Sequence, residues 1–263
     1  MIRRSLTAFS GPELSALAAA FNAVWDEGLI RANADLHDQN FYNGIHWGPA
    51  FLPWHRDFLR KLEQALQAHE ASLSLPYWDW TEDNARDLNA GPWESIFGGR
   101  DNRGGAFDHW TYVRNAQPTG APLPRLADVV SELGATSFLG LRALETGTHV
   151  PGHTWTGSTM ASGASPLDPL FYLHHCNLDR IWSIWQLNNA AKEQYEHLGV
   201  LQSDSVPQAR VPLDGTMIGG ATPASMLDHT ALGYTFAEDS RLADAWRTEH
   251  GTDLITHAEP LVA

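Results

Sequence analysis

Ile45-His46-Trp47-Gly48-Pro49-Ala50-Phe51-Leu52-Pro53-Trp54-His55-Arg56 is the stretch on which the fold turns. It opens as a Gly/Pro loop and passes into a helix predicted from near Pro53 to about His69, with Phe58, Leu59, Leu62 and Leu66 on one face. Pro53 is tolerated in the first turn, where a backbone N–H would lack an intrahelical partner anyway. His55 lies in line with Leu59, Leu62 and Leu66, facing the core. His46 precedes it in the loop, where the chain can fold back over the start of the helix. One histidine on an apolar face is ordinarily a satisfied core residue, so the other histidines must decide.

Two further clusters follow. His149-Val150-Pro151-Gly152-His153 is an i, i+4 pair, a spacing that brings two imidazoles together on a helix or at its end. Pro151 and Gly152 argue against a regular helix, so the pair is expected where a helix over 137–145 finishes. Asp168-Pro169 opens another helix, Asp168 as N-cap and Pro169 at the first position, running to about Lys192. Its adjacent His174 and His175 point about 100° apart, so only one faces a given site. His175 shares its face with Phe171, Leu178, Asp179 and Trp182, and Asp179 is placed to orient a neighbouring imidazole.

Elsewhere Ser10 and Glu13 form a capping box that opens a helix to about Trp25, and a helical stretch over 32–40 carries His37. Leu126 to Leu133 reads as a helix and Leu242 to Thr248 as a short one. Residues 75–123 are irregular and rich in Gly, Asn, Asp and Pro, a length of loop that usually serves function. The expected architecture is one mainly α domain over 1–263 with a four-helix bundle core and long irregular loops. Segments 32–40, 53–69, 137–149 and 169–192 each bring histidine inward, as bundle metal sites require. Imidazole donors without a thiolate or carboxylate cluster leave copper, zinc and iron as candidates.

Composition narrows the partners. The 263 residues carry 17 Lys+Arg against 31 Asp+Glu, a net charge of −14, which disfavours nucleic acid and anionic membrane. No run approaches the ~20 apolar residues of a membrane span. Met1 to Pro12 has no apolar signal core, so a cytoplasmic address, or export without a signal of its own, is expected. Cys176 is the single cysteine and reads as buried filler. His69, His109, His197, His229, His250 and His257 lack ligand spacing and read as surface residues. Ser162, Gly163 and Ala164, lying between His153 and His175, are expected to leave a site entrance open.

The pattern His46-x4-Phe51-Leu52-Pro53-Trp54-His55-Arg56-x2-Leu59-x3-Glu63 resembles the CuA signature of tyrosinases. Asp168-Pro169-x-Phe171-Tyr172-x2-His175-x3-Asp179 resembles their CuB signature, and Leu75-Pro76-Tyr77-Trp78-Asp79-Trp80 the segment that follows CuA. Tyr234-Thr235-Phe236 is similar to a strand near the end of that domain. The likeness spans roughly residues 30 to 190. It implies two copper ions, CuA on His37, His46 and His55 and CuB on His149, His153 and His175, with His174 off the metal. It also implies that Phe171 packs against the copper pair and that Glu145 holds a water that helps deprotonate a phenol. The implied reaction is oxidation of o-diphenols, possible also for o-aminophenols and more weakly for monophenols, to o-quinones with O2. The alternative is a hemocyanin-like oxygen carrier.

Three departures from the family pattern shape the expectation. Val150 stands where many tyrosinases have Asn beside the first CuB histidine, which points to weak monophenol hydroxylation. Gly44 stands where some members carry a cysteine cross-linked to a ligand histidine. The chain ends before the shielding domain of many eukaryotic members, so an open core, or one served by a separate helper or copper-delivery protein, is expected.

Overall fold

The computed structural model describes residues 1–100, 104–115, 122–198 and 210–257. Its framework is helical: α1 (Gly11–Asp26), α2 (Leu29–Asn40), α3 (Phe51–His69), α4 (Gly91–Ser95), α5 (Leu126–Leu133), α6 (Phe138–Leu141), α7 (Val150–Thr156), α8 (Leu170–Asn188) and α9 (Ser240–His250). Two short strands, β1 (Ile2–Arg3) and β2 (Thr235–Phe236), pair in parallel with Ile2 opposite Thr235. Among the described residues no helix is long and apolar enough to cross a membrane.

Helix α8 is the axis. Every residue from Leu170 to Gln186 is buried, the pattern of a helix enclosed on all sides. It starts one residue later than predicted. Asp168 is committed elsewhere, taking the Arg114 guanidinium on both oxygens at 2.6 and 2.7 Å while Oδ1 also accepts from the Leu170 amide at 2.9 Å. Helix α3 packs along α8 and buries Phe58, Leu59, Leu62 and Leu66, as its spacing predicted. It begins at Phe51, two residues early, because the Trp54 amide reaches the Ala50 carbonyl at 2.8 Å. The predicted capping box opens α1, the Ser10 amide donating to Glu13 at 2.8 Å.

The segment 137–149, expected as a helix over 137–145 with the histidine pair at its end, is built differently. After α6 the chain makes a π-helical turn, Glu145–His149, and runs directly into α7. Pro151 and Gly152 therefore sit inside a helix, against expectation. Pro151 falls in the first turn of α7, where no donor is lost. Gly152 is required: a Cβ there would stand 2.7 Å from Nδ1 and 2.9 Å from Nε2 of His174, far inside contact distance.

Beneath α3 and α8 lies a buried ion network. Asp179 Oδ1 accepts from Arg56 Nε at 2.5 Å, and Oδ2 accepts from Arg3 at 2.8 Å and from the Tyr234 hydroxyl at 2.6 Å. Arg3 also meets both oxygens of Glu63 at 3.1 and 2.7 Å. Two guanidinium ions and two carboxylates thus neutralise each other where a lone charge would be costly. Among the described residues no histidine hydrogen-bonds to Asp179, whose oxygens are held by two buried cations and the Tyr234 hydroxyl. His229, read as a surface residue, is buried against Tyr234 and Phe236. Part of the irregular 75–123 stretch forms a tryptophan-rich floor in which Trp78, Trp80 and Trp93 are fully buried.

Candidate metal centre

Six segments deliver the predicted histidines to one place. His37 comes from α2, His46 from the loop before α3, and His55 from the first turns of α3. His149 closes the π turn, His153 lies on α7, and His174 and His175 lie on α8. Donor atoms of His37, His46 and His55 fall within 4.8 Å of one another. His149, His153 and His174 form a second group by the same measure. The groups abut: the His55 and His175 rings stack at 4.2 Å between centroids, and the His46 and His149 rings lie 5.7 Å apart.

Backbone carbonyls hold the backs of four rings. Nδ1 of His37 donates to Gly163 O at 2.6 Å, of His55 to Phe51 O at 2.9 Å, of His149 to Glu145 O at 3.0 Å, and of His153 to Met160 O at 2.6 Å. A proton fixed on Nδ1 leaves the Nε2 lone pair turned inward, as a metal ligand needs. Nε2 of His37, His55 and His149, and Nδ1 of His46 and His175, are buried without a hydrogen-bond partner. Nε2 of His153 faces Nε2 of His175 at 3.2 Å. Buried polar atoms are seldom left bare, and so many bare nitrogens converging in one place fit metal ions as the missing partners. Burial also lowers the pKa of each ring, His37 to about 3 and His153 to about 4, with His46, His55, His149 and His175 well below the ordinary range. The rings are therefore uncharged at neutral pH, the state in which nitrogen binds a metal.

Proximity and hydrogen bonding disagree about α8. Distance groups His174 with His149 and His153, yet both of its nitrogens are spoken for. Trp80 Nε1–H donates to its Nδ1 at 3.0 Å, and its Nε2–H donates to the His149 carbonyl at 3.0 Å. His175 has a bare Nδ1 and an Nε2 turned to His153, so hydrogen bonding favours it as the third donor of this group.

A cavity of about 340 Å³ opens onto the histidines, at the small end of ligand pockets and suited to a single aromatic ring. Val150, Ser162 and Gly163 line it as anticipated, whereas Ala164 is not among its lining residues. Phe171 is fully buried on the core side, its ring 4.2 Å from His175 and 5.1 Å from His37, so it supports the rings from below rather than facing the cavity. Glu145 is buried at the start of the π turn, and its Oε1 accepts from the Trp47 amide at 2.5 Å. Trp47 has a left-handed backbone, φ +59°, which aims that amide back across the site. This tie joins the loop after His46 to the turn before His149. Asp38, Tyr42, Trp47 and Thr154 also line the cavity and went unread in the sequence. Asp38, Trp47 and Thr154 each directly follow a predicted ligand, which is the one signal that could have pointed to them.

The family described as the common central domain of tyrosinase matches residues 29–124 and 127–188. A tyrosinase of Streptomyces antibioticus is 33% identical over 227 residues, covering 73% of this chain and 80% of that protein. Among solved structures, a functional unit of octopus hemocyanin superposes with a TM-score of 0.62 at 22% identity, covering 90% of this chain and 68% of the other. A latent aurone synthase, a polyphenol oxidase, superposes at 0.62 and 19% identity, covering 94% and 59%. At these identities the structural likeness speaks for the fold alone.

Proposed function

The chain belongs to the tyrosinase family of dicopper oxidoreductases, and on that premise we propose that it oxidises o-diphenols, or o-aminophenols, in preference to monophenols. We assign one copper to His37, His46 and His55 and the other to His149, His153 and His175. The observation that carries this is the set of bare, buried, uncharged nitrogens converging beside a ring-sized cavity. When bound, the copper pair supplies the electron exchange between O2 and the phenol. The protein's part is to fix His37, His55, His149 and His153 in one tautomer through backbone carbonyls, to bring His46 and His175 beside them, and to admit one planar ring.

Val150 supports the preference for diphenols. Its side chain lines the cavity and has no polar atom with which to hold a water, where many tyrosinases have Asn. We assign Glu145 to phenol deprotonation through a held water. The buried carboxylate is anchored by the Trp47 amide between the two histidine groups, and being off the cavity wall it would take the proton through that water. We read residues 1–263 as a single copper domain, a reading supported by the pairing of β1 with β2 and by the Tyr234 bond to Asp179.

Oxygen uptake by copper-loaded protein, with catechol, L-tyrosine and an o-aminophenol in parallel, tests the proposal. Fast uptake with catechol or the aminophenol and slow uptake with tyrosine is expected. Fast uptake with tyrosine would overturn the role given to Val150. No uptake from protein holding two coppers would favour an oxygen carrier, a function that the same fold also serves.

A further inference from the structure

We propose that Asp38 selects phenols whose ring carries an ammonium group on a short side chain over phenols carrying a carboxylate, an inference that rests on the oxidase reading and narrows its substrate. Asp38 is the one acidic or basic side chain other than histidine on the cavity wall, which no Lys, Arg or Glu lines. Its carboxylate is exposed, and no ion-pair or hydrogen-bond partner for it is found among the described residues. The charge is therefore unspent and available to a ligand.

Its place is fixed from two sides. Asp38 follows His37, whose Nδ1–H is held by the Gly163 carbonyl at 2.6 Å. The Asp38 side chain lies over Gly163, filling the space that a side chain there would need: a Cβ on Gly163 would stand 3.1 Å from the Asp38 Cγ and closer still to Oδ1. The glycine thus lets the carboxylate rest on the cavity wall beside a histidine of the first group. A ring that presents its hydroxyls to the histidines directs its opposite substituent outward, towards this rim. An ammonium group there meets a carboxylate, whereas an acid meets like charge. The net charge of −14 acts in the same direction, drawing cations to the protein before contact. An amino acid such as tyrosine carries both signs and gains little.

The test uses ligands that cannot be oxidised, so it stands apart from turnover. Dissociation constants for 2-phenylethylammonium, 2-phenylethanol and 3-phenylpropionate are measured by ligand-observed NMR titration on copper-loaded wild-type, Asp38→Asn and Asp38→Glu proteins. The wild type should bind ammonium tightest and carboxylate weakest, each step about fivefold, the upper end for an exposed charge pair. Asp38→Glu should keep that order, and Asp38→Asn should bring the three within about twofold. Equal wild-type affinities, or an order that survives in Asp38→Asn, would overturn the assignment. Failure of catechol to support oxygen uptake would sink the oxidase reading and leave this comparison decided on its own.

Discussion

Gly152→Ala isolates the close approach of α7 to α8. The added methyl would stand 2.7 and 2.9 Å from the two nitrogens of His174, so the ring must shift. That ring is held by Trp80 Nε1–H on one side and by the His149 carbonyl on the other, each at 3.0 Å, and the shift strains both bonds. Overpacking costs about 1–3 kcal/mol and weakening two hydrogen bonds about 0.5–1.5 kcal/mol each. Alanine returns about 1 kcal/mol through its better helix propensity. The net loss is about 1–5 kcal/mol. At roughly 2–4 °C per kcal/mol for a chain near this size, the Tm should fall by about 2–20 °C. Thermal unfolding of the copper-free protein, followed by circular dichroism, measures the packing term without a metal contribution. A Tm equal to or above that of the wild type would show that helix propensity wins, and would refute the argument that His174 occupies the space of the missing side chain.

Copper analysis separates the two α8 histidines. His175→Ala should hold about one copper per chain, while His174→Ala should hold two and lose stability, by about 1–3 kcal/mol for the orphaned Trp80 donor; the reverse result would move the ligand to His174. Val150→Asn should raise monophenol oxidation relative to diphenol oxidation by about tenfold, less than the roughly 10²–10⁴-fold of a side chain that transfers the proton itself, because Asn would only help to hold the water. An unchanged ratio in oxygen uptake would count against that position. Glu132 is pushed up to about 8 by burial, with the Thr148 hydrogen bond pulling the other way. The native state then keeps a proton that the unfolded chain releases near pH 4.3, so this group makes stability fall as pH rises from about 4.3 to about 8. Urea midpoints should decline less from pH 5 to pH 8 in Glu132→Gln than in the wild type, and parallel curves would disprove the assignment.

What the sequence reveals depends on the range of the interaction. Helices α3 and α8 were readable to within a few residues because proline marks their starts and apolar spacing marks their faces. His46, His55 and His175 were readable because they sit in long multi-residue patterns, whereas His37, His149 and His153 had fewer matching neighbours. The π turn was not, since a single extra residue in a helix has no compositional mark, and Pro151 and Gly152 look like breakers until His174 is seen filling the space over the glycine. The hydrogen-bond partners of Asp179 were hidden for another reason. Its position one turn after His175 suggests a local partner, but Arg3 and Arg56 arrive from 176 and 123 residues away. His229 looked like a surface residue because Tyr234 and Phe236, which cover it, belong to a tail with weak periodicity.

That tail also bears on the order in which the molecule matures. Arg3 is synthesised before its partners Glu63 and Asp179, and Tyr234, which completes the network, comes later still. The region beneath the metal bundle therefore cannot be neutralised before Asp179 is present, nor sealed until Tyr234 is available. Contacts of such sequence separation are slow to form, because the intervening chain must close before they reward it. A nascent chain that already carries all of the candidate copper-binding histidines would still have a loose foundation, and metal should be held firmly only after the last strand has docked.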